Sequence, residues 1–333
     1  MKKILKAAVF GAVFLLYFMG VRANVSLQEE SRTVTLFLEN EAADAKTAQE
    51  ICLQEEEGAG IQGGTGEKNP LCFWGEQGGL TLTCQETGSS YTVTEVLTSG
   101  SPRLVLPEGE VLSLWEDGCL LDEQTAYELF GTENAAGQTV WSQEQSYTVR
   151  GTFQSFRPLM VRQAKETDGE ILRAVSMKLS DMDRAAAETE QFSLKYGLAG
   201  EWVDFVFWGA LAGDLLLLLP ALLCAAGVRL LIREGKRMES AWGRAAFYLG
   251  AVLLAAGASF VLSDYFSLPA SMIPGEWSDF SFWEDFWEGQ RKNILTIFQT
   301  AQGEAQLTML SHFGISVLGS LSSALGCMIA LRS

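Results

Sequence analysis

Four stretches of this 333-residue chain are apolar and almost free of charge: Ala7–Val21, Phe205–Val228 (broken by Asp214), Ala245–Leu262 and Phe313–Leu331. A helix needs ~20 apolar residues to cross a hydrocarbon layer ~30 Å thick. The second, third and fourth stretches reach that length. The first is shorter, but Lys6 before it and Arg22 after it can snorkel and extend its reach. Between the first and second stretches lies a polar segment long enough for a domain, whereas the other two gaps are short. This pattern predicts a membrane protein with four transmembrane helices and an extracytoplasmic α+β domain inserted between the first and second. The predicted segments are a first transmembrane helix over 1–22, the extracytoplasmic domain over 23–200 and a second transmembrane helix over 201–232. A basic cytoplasmic loop over 233–244, a third helix over 245–263, an outer loop over 264–312 and a fourth helix over 313–333 complete the chain. The first stretch also admits a cleaved signal peptide, with Val21-Arg22-Ala23 as its cleavage site. Arg22 itself and the bulky Tyr17-Phe18-Met19 argue for a retained anchor. Both readings put the following domain outside the cytoplasm.

Inside the polar segment the periodicity changes repeatedly. Thr33–Leu38 reads as a strand, and Ala42–Glu55 has helical composition. A glycine-rich loop follows over Gly58–Asn69. The runs CFW, LTLTC, YTVTEVL and RLVL between Cys72 and Leu106 are strand-like, rich in Thr and Val. Gly118–Leu121 reads as a short buried strand. Asp122 is placed to cap a helix over Glu123–Leu129, and Gly131 to end it. Thr139–Trp141 and Tyr147–Phe153 read as two strands, Ala174–Leu179 as another, and Asp181–Tyr196 as an amphipathic helix. Short mixed elements of this kind imply an α+β domain.

Charge fixes the orientation. Residues 23–200 hold 29 acidic and 12 basic side chains, which account for the whole formal charge of −17. Such a domain repels nucleic acid, so no nucleic-acid partner is expected. Arg229, Arg233, Lys236, Arg237 and Arg244 face only Glu234 and Glu239 between the second and third stretches. By the positive-inside rule this connector, the basic amino terminus and Arg332 face the cytoplasm. Cys52, Cys72, Cys84 and Cys119 fall in the outer domain and permit three pairings. A hairpin turning at Gly78-Gly79 would favour Cys72 with Cys84, leaving Cys52 and Cys119.

The segment 118–153 combines a strand, A-x-x-L-F-G, an acidic turn, G-x-T-V and Y-x-V-x-G-x-F. Its pattern rests on Ala126, Leu129, Phe130, Gly131, Gly137, Val140, Tyr147, Val149, Gly151 and Phe153. It resembles the periplasmic core domain of the MacB/FtsX superfamily of ABC transporter permeases, and most of all a Gram-positive branch without a fused ATPase. The resemblance implies a permease-like subunit in a bacterial cell membrane with its large domain extracellular. It further implies a separate ABC ATPase subunit, a homodimer or second permease chain, and motion of the outer domain for export or envelope signalling. The alternative is a membrane-anchored extracellular binding or sensing protein without ATPase coupling.

Candidate chemistry is sparse. There is no G-x-x-x-x-G-K-[ST] pattern for ATP phosphates. Arg233, Lys236 and Arg237 are candidates to dock an ATPase, although positive-inside topology alone explains their charge. Asp214 is a carboxylate within the second apolar stretch, where such groups face protein or water. Phe280, Trp283 and Trp287 recur at i, i+3, i+7 and read as interfacial anchors toward membrane lipid or as packing residues. Gly319, Ser323 and Gly326, with Ser316 and Ser320 beside them, permit a close helix contact, within the chain or in a dimer. His312 is the single histidine, so no triad or metal set can be built around it. No enzyme activity, cofactor or metal is expected.

Overall fold

The computed structural model describes residues 2–38, 43–61, 70–106, 112, 117–142, 145–165, 170–267, 269, 272–274, 280–299 and 303–332. In chain order the first elements are α1 (Lys2–Glu30), β1 (Thr33–Leu38), β2 (Ala43–Asp44), α2 (Ala45–Ile61), β3 (Leu71–Thr83) and β4 (Ser90–Gly100). Next come β5 (Gly118–Asp122), α3 (Glu123–Phe130), β6 (Thr139–Ser142), β7 (Gln145–Phe153), β8 (Leu159–Gln163), β9 (Ile171–Leu172) and β10 (Ala174–Lys178). The last are α4 (Ala185–Tyr196), β11 (Gly200–Val203), α5 (Val206–Leu216), α6 (Leu218–Arg237), α7 (Ala241–Tyr265), α8 (Phe280–Gln299) and α9 (Glu304–Arg332). They divide into two units. One is helical and comprises Met1–Ser31, Phe205–Ser278 and Met309–Ser333; the other comprises Arg32–Asp204 and Asp279–Thr308.

In the helical unit, four segments among the described residues are long and apolar enough to cross a membrane: Phe10–Glu30, Val206–Arg237, Ala241–Tyr265 and Glu304–Leu331. Helix α1 runs on to Glu30, past the end of its apolar stretch at Val21. Its polar residues explain why. Gln28 donates from Nε2 to the carbonyl of Gly209 at 2.8 Å, so this turn packs on α5 rather than unwinding. The soluble unit accordingly begins at Arg32 and not at residue 23.

The soluble unit is built on a nine-stranded sheet in the order β11-β1-β10-β3-β4-β8-β5-β7-β6. Most neighbours are antiparallel; β4 with β8 and β5 with β7 are parallel. The sheet closes partly on itself where Thr83 of β3 meets Trp141 of β6. Leu82, Val93, Leu121, Val140, Val149 and Met160 fill one core with Ala126 and Leu129 of α3. A second core places Leu36, Phe73, Leu97 and Val175 with Ala48 and Ile51 of α2 and Phe192 of α4.

β3 corrects one expectation. Gly78-Gly79 does not turn a hairpin. Both halves of β3 pair with the same neighbour, from Cys72↔Gly100 to Thr83↔Ser90, and the register shift between Gln77 and Leu80 absorbs the glycines. Gly79 takes the left-handed conformation this needs (φ 82°). Cys72 therefore lies near the start of β3 and Cys84 just past its end, up to ~40 Å apart at ~3.3 Å per residue. That exceeds any disulfide span, so the Cys72–Cys84 pairing is overturned. Cys52, Cys72, Cys84 and Cys119 are all buried. Cys52 donates to the carbonyl of Ser99 at 3.4 Å, and burial pushes the Cys119 thiol up to about 12.

RLVL is a second correction. Pro102 fixes its own φ and lacks an N–H, so Pro102–Leu104 forms a 3₁₀ turn instead of a strand. Leu104, Val105 and Leu106 still enter the core. Likewise, residues 182–184 form a 3₁₀ turn before α4 starts at Ala185.

Around α3 the local signals hold. Asp122 Oδ1 accepts the N–H of Thr125 at 3.0 Å, and Gly131 closes the helix with φ 74°. Asp122 does more than cap: its Oδ2 accepts the N–H of Leu159 at 2.8 Å, tying α3 to β8. Asp122→Ala removes a cap worth ~1 kcal/mol and strands a buried N–H at a cost of about 1–3 kcal/mol. A loss of about 2–4 kcal/mol is expected, read as a lower urea midpoint, with Asp122→Asn losing less.

Candidate functional site

Residues 303–308 belong to the soluble unit. Gly303, Glu304, Ala305 and Gln306 are buried. Gln306 Nε2 donates to Thr35 Oγ1 at 3.0 Å, and Thr35 Oγ1 contacts Ser176 Oγ at 2.9 Å. Ser176 Oγ also accepts from Trp74 Nε1 at 2.9 Å. This buried polar chain joins the first turn of α9 to β1, β10 and β3. A Cβ on Gly303 would stand 2.9 Å from Trp74 Cη2, so only glycine permits the approach. Next to it, Glu304 Oε1 accepts the N–H of Phe156 at 2.9 Å, and Arg157 Nη2 bonds Glu76 Oε1 at 2.5 Å. Burial, reinforced by the charge of Glu304 and opposed by Arg157, pushes the Glu76 carboxyl above its ordinary range.

Helix α8 joins the same unit. Lys292 pairs with Glu201 at 2.8 Å, and Asn293 Nδ2 donates to the carbonyl of Asp204 at 2.8 Å. Trp283 and Trp287 belong to a run of ring contacts with Phe282 and Phe286, and Trp287 is 52% exposed. The side chain of Phe280 lies outside the described residues.

A buried ion network crosses the sheet elsewhere. Arg162 on β8 bonds Glu95 on β4 at 2.6 Å and also Glu170. Burial opposes its charge, but Glu170 and Glu95 outweigh that and hold the guanidinium more firmly protonated. Glu170 also accepts the N–H of Lys165 at 2.8 Å. These contacts saturate the buried charges and pin β4 to β8.

In the helical unit, the small residues of α9 pack within the chain. A Cβ on Gly319 would lie 2.8 Å from the carbonyl of Leu16 and 3.0 Å from Gly20 Cα; one on Gly326 would lie 2.7 Å from Val13. Ser316, Ser320 and Ser323 are fully buried beside them. The second apolar stretch is two helices, broken at Leu217. Pro220 has no N–H for the turn before it, and Ser320 Oγ donates to the carbonyl of Leu215 next to the break. Asp214 accepts the N–H of Ser267, just past the end of α7, at 3.1 Å. His312 Nδ1 meets Glu30 Oε2 at 2.9 Å.

Arg233, Lys236 and Arg237 do not sit in a loop. They occupy the last turns of α6, which reaches Arg237, and Met238–Ser240 alone connect it to α7. Gly235 lets the two helices close, since a Cβ there would meet Phe247 and Tyr248 at 3.1 Å. All three cations are exposed; Glu234 contacts Arg233 at 3.5 Å and Arg237 at 3.0 Å. These basic residues converge on one helix end. Asp214 lies on α5 and the aromatic run on α8. No group of three or more potential metal ligands occurs among the described residues. The bonded first turn of α9 escaped sequence reasoning. Its signal is faint: Glu304 and Gln306, two polar residues after Gly303 and just ahead of an apolar stretch.

No family model matches the chain, and no curated protein matches it. Among solved structures it is similar to the periplasmic region of MacB from Actinobacillus actinomycetemcomitans, at 16% identity and a TM-score of 0.38, over 52% of this chain and 88% of that one. It is also similar to the extracellular domain of the noncanonic ABC-type transporter YknZ from Gram-positive bacteria. That match has 18% identity and a TM-score of 0.35, over 51% of this chain and 97% of that one.

Glycine-to-alanine exchanges separate contact from propensity in α9. Gly314 has nothing within 4 Å of an added Cβ, whereas Gly319 faces backbone. Gly314→Ala gains up to ~1 kcal/mol of helix propensity, and Gly319→Ala is destabilised by the clash. Thermal midpoints of the two variants in detergent should move in opposite directions.

Proposed function

We propose that this chain is a permease-like subunit of a MacB/FtsX-type ABC system in a bacterial cell membrane. A separate cytoplasmic ATPase drives it, and it works as a homodimer or beside a second permease chain. The observation that carries the reading is the ordered pattern over 118–153: strand, capped helix, left-handed Gly131, tight turn at Gly137 and paired return strands. That pattern sits in a domain inserted after the first of four helices with the length and composition of membrane spans. The basic end of α6 supports a docking site inside the cell, because it offers three exposed cations on a rigid turn.

In this mechanism no cargo passes through the spans. ATP-driven displacement at the α6–α7 end moves the helices, and the motion is passed along the chain to the outer domain. Two residues separate α1 from β1, and two separate β11 from α5. Helix α9 has no break at all between its first turn and Arg332. Rearrangement of the outer domain then serves export or envelope signalling.

Charge reversal at Arg233, Lys236 and Arg237 together should abolish co-purification of an ATPase from native membranes while insertion stays normal. Retention of the ATPase by the variant, or its absence from the wild-type chain in mild detergent, sinks the docking proposal and favours an uncoupled sensor. Orientation has its own check. An impermeant maleimide on intact cells should label a cysteine placed at Glu86, and leave one placed at Lys236 untouched.

A further inference from the structure

Two carboxylates and one guanidinium meet where α9 begins. The Glu76 side chain is 7% exposed and Glu304 5%. Consecutive residues of one turn hold them: Arg157 bonds Glu76 at 2.5 Å, and the backbone N–H of Phe156 bonds Glu304 Oε1 at 2.9 Å. The second oxygen of Glu304 is buried with no hydrogen-bond partner among the described residues, and so is Gln306 Oε1. With both glutamates ionised, one cation faces two buried anions. Burial of an uncompensated charge is costly enough that a group normally neutralises instead. A metal ion would need more oxygen donors than this corner offers, since no cluster of three acidic or other ligating side chains is found among the described residues.

We propose that Glu76, buried between Arg157 and Glu304, is a proton-binding site, and that the docking of the first turn of α9 into the sheet is linked to that proton. The charged groups acting on Glu76 are Arg157, from the turn before β8, and Glu304, from α9. Arg157 favours the ionised form. Burial and Glu304 favour the protonated one and prevail, so the Glu76 carboxyl titrates above its ordinary 4.5. The sign follows from linkage. A carboxyl that holds its proton more tightly in the docked state stabilises docking fully below its ordinary range, and the stabilisation is lost as pH rises through the raised value. Acid on the outer side therefore tightens the joint between α9 and β1, β3 and β10, and alkali loosens it. Proton binding of this kind holds whether or not an ATPase docks on α6, and an assay without an ATPase tests it separately.

The test uses the full chain in lipid nanodiscs between about pH 5 and about pH 8, bracketing a raised carboxyl. In the wild type the thermal midpoint should rise as pH falls, and infrared pH-difference spectra should show the carbonyl stretch of a protonated carboxyl in the same range. Glu76→Gln, neutral throughout, should lose both the slope and the band, whereas Glu304→Gln, which removes the neighbouring negative charge, should keep them but move them to lower pH. Glu76→Asp keeps a carboxyl and should retain them. A wild-type protein without slope or band overturns the proposal. So do slope and band that persist unchanged in Glu76→Gln.

Discussion

A backbone peptide group in hydrocarbon has no water to bond, and this one requirement organises the chain. It makes each apolar stretch a helix, because only a helix satisfies its own N–H and C=O groups. It also explains how the exceptions are built. Pro220 interrupts the ladder of the second stretch, and Ser320 of α9 donates a hydroxyl to Leu215 beside the gap. Gly209 receives the amide of Gln28. Asp214, the carboxylate inside an apolar run, reaches the N–H of Ser267 at the end of α7. Each of these polar contacts joins one helix of the unit to another helix or to the turn after it, so the helices are fixed against one another at those points.

The soluble unit obeys the same rule by different means. Its strands satisfy one another across a sheet whose register shifts at Gly78-Gly79 and which closes at Thr83 and Trp141. Polar side chains that enter its core do so in connected sets: Asp122 with Thr125 and Leu159, Arg162 with Glu95 and Glu170, Gln306 with Thr35, Ser176 and Trp74. The last set recruits a piece of chain from far along the sequence. A segment expected to be a plain outer loop thereby becomes part of the domain's wall.

Legibility in the sequence tracked the range of the interaction responsible. Asp122 and Gly131 act within four residues of their own positions, so the ends of α3 could be read directly. Thr33–Leu38 was equally plain, because its β-branched and apolar residues state a preference alone. Gly78-Gly79 was misread because the same dipeptide suits a hairpin and a bulge. Only pairing of both halves of β3 with β4 decides between them. RLVL was misread because apolar residues say nothing about whether Pro102 leaves them on a strand. The small residues of α9 announced a close contact without naming its partner, which is Gly20 of α1.

Sequence alone determined which segments are long and apolar enough for a membrane, where the basic connector lies, and the order of elements over 118–153. These follow from composition and from neighbours a few residues apart, where transfer free energy and backbone preference act without help from the fold. Only the tertiary structure decided that β3 runs straight through its glycines, that Arg233, Lys236 and Arg237 ride on a helix end, and that Glu304 lies near Glu76. Those outcomes depend on contacts between residues as much as 228 positions apart. No local preference can specify such contacts, because their energy exists only once both partners have left water together.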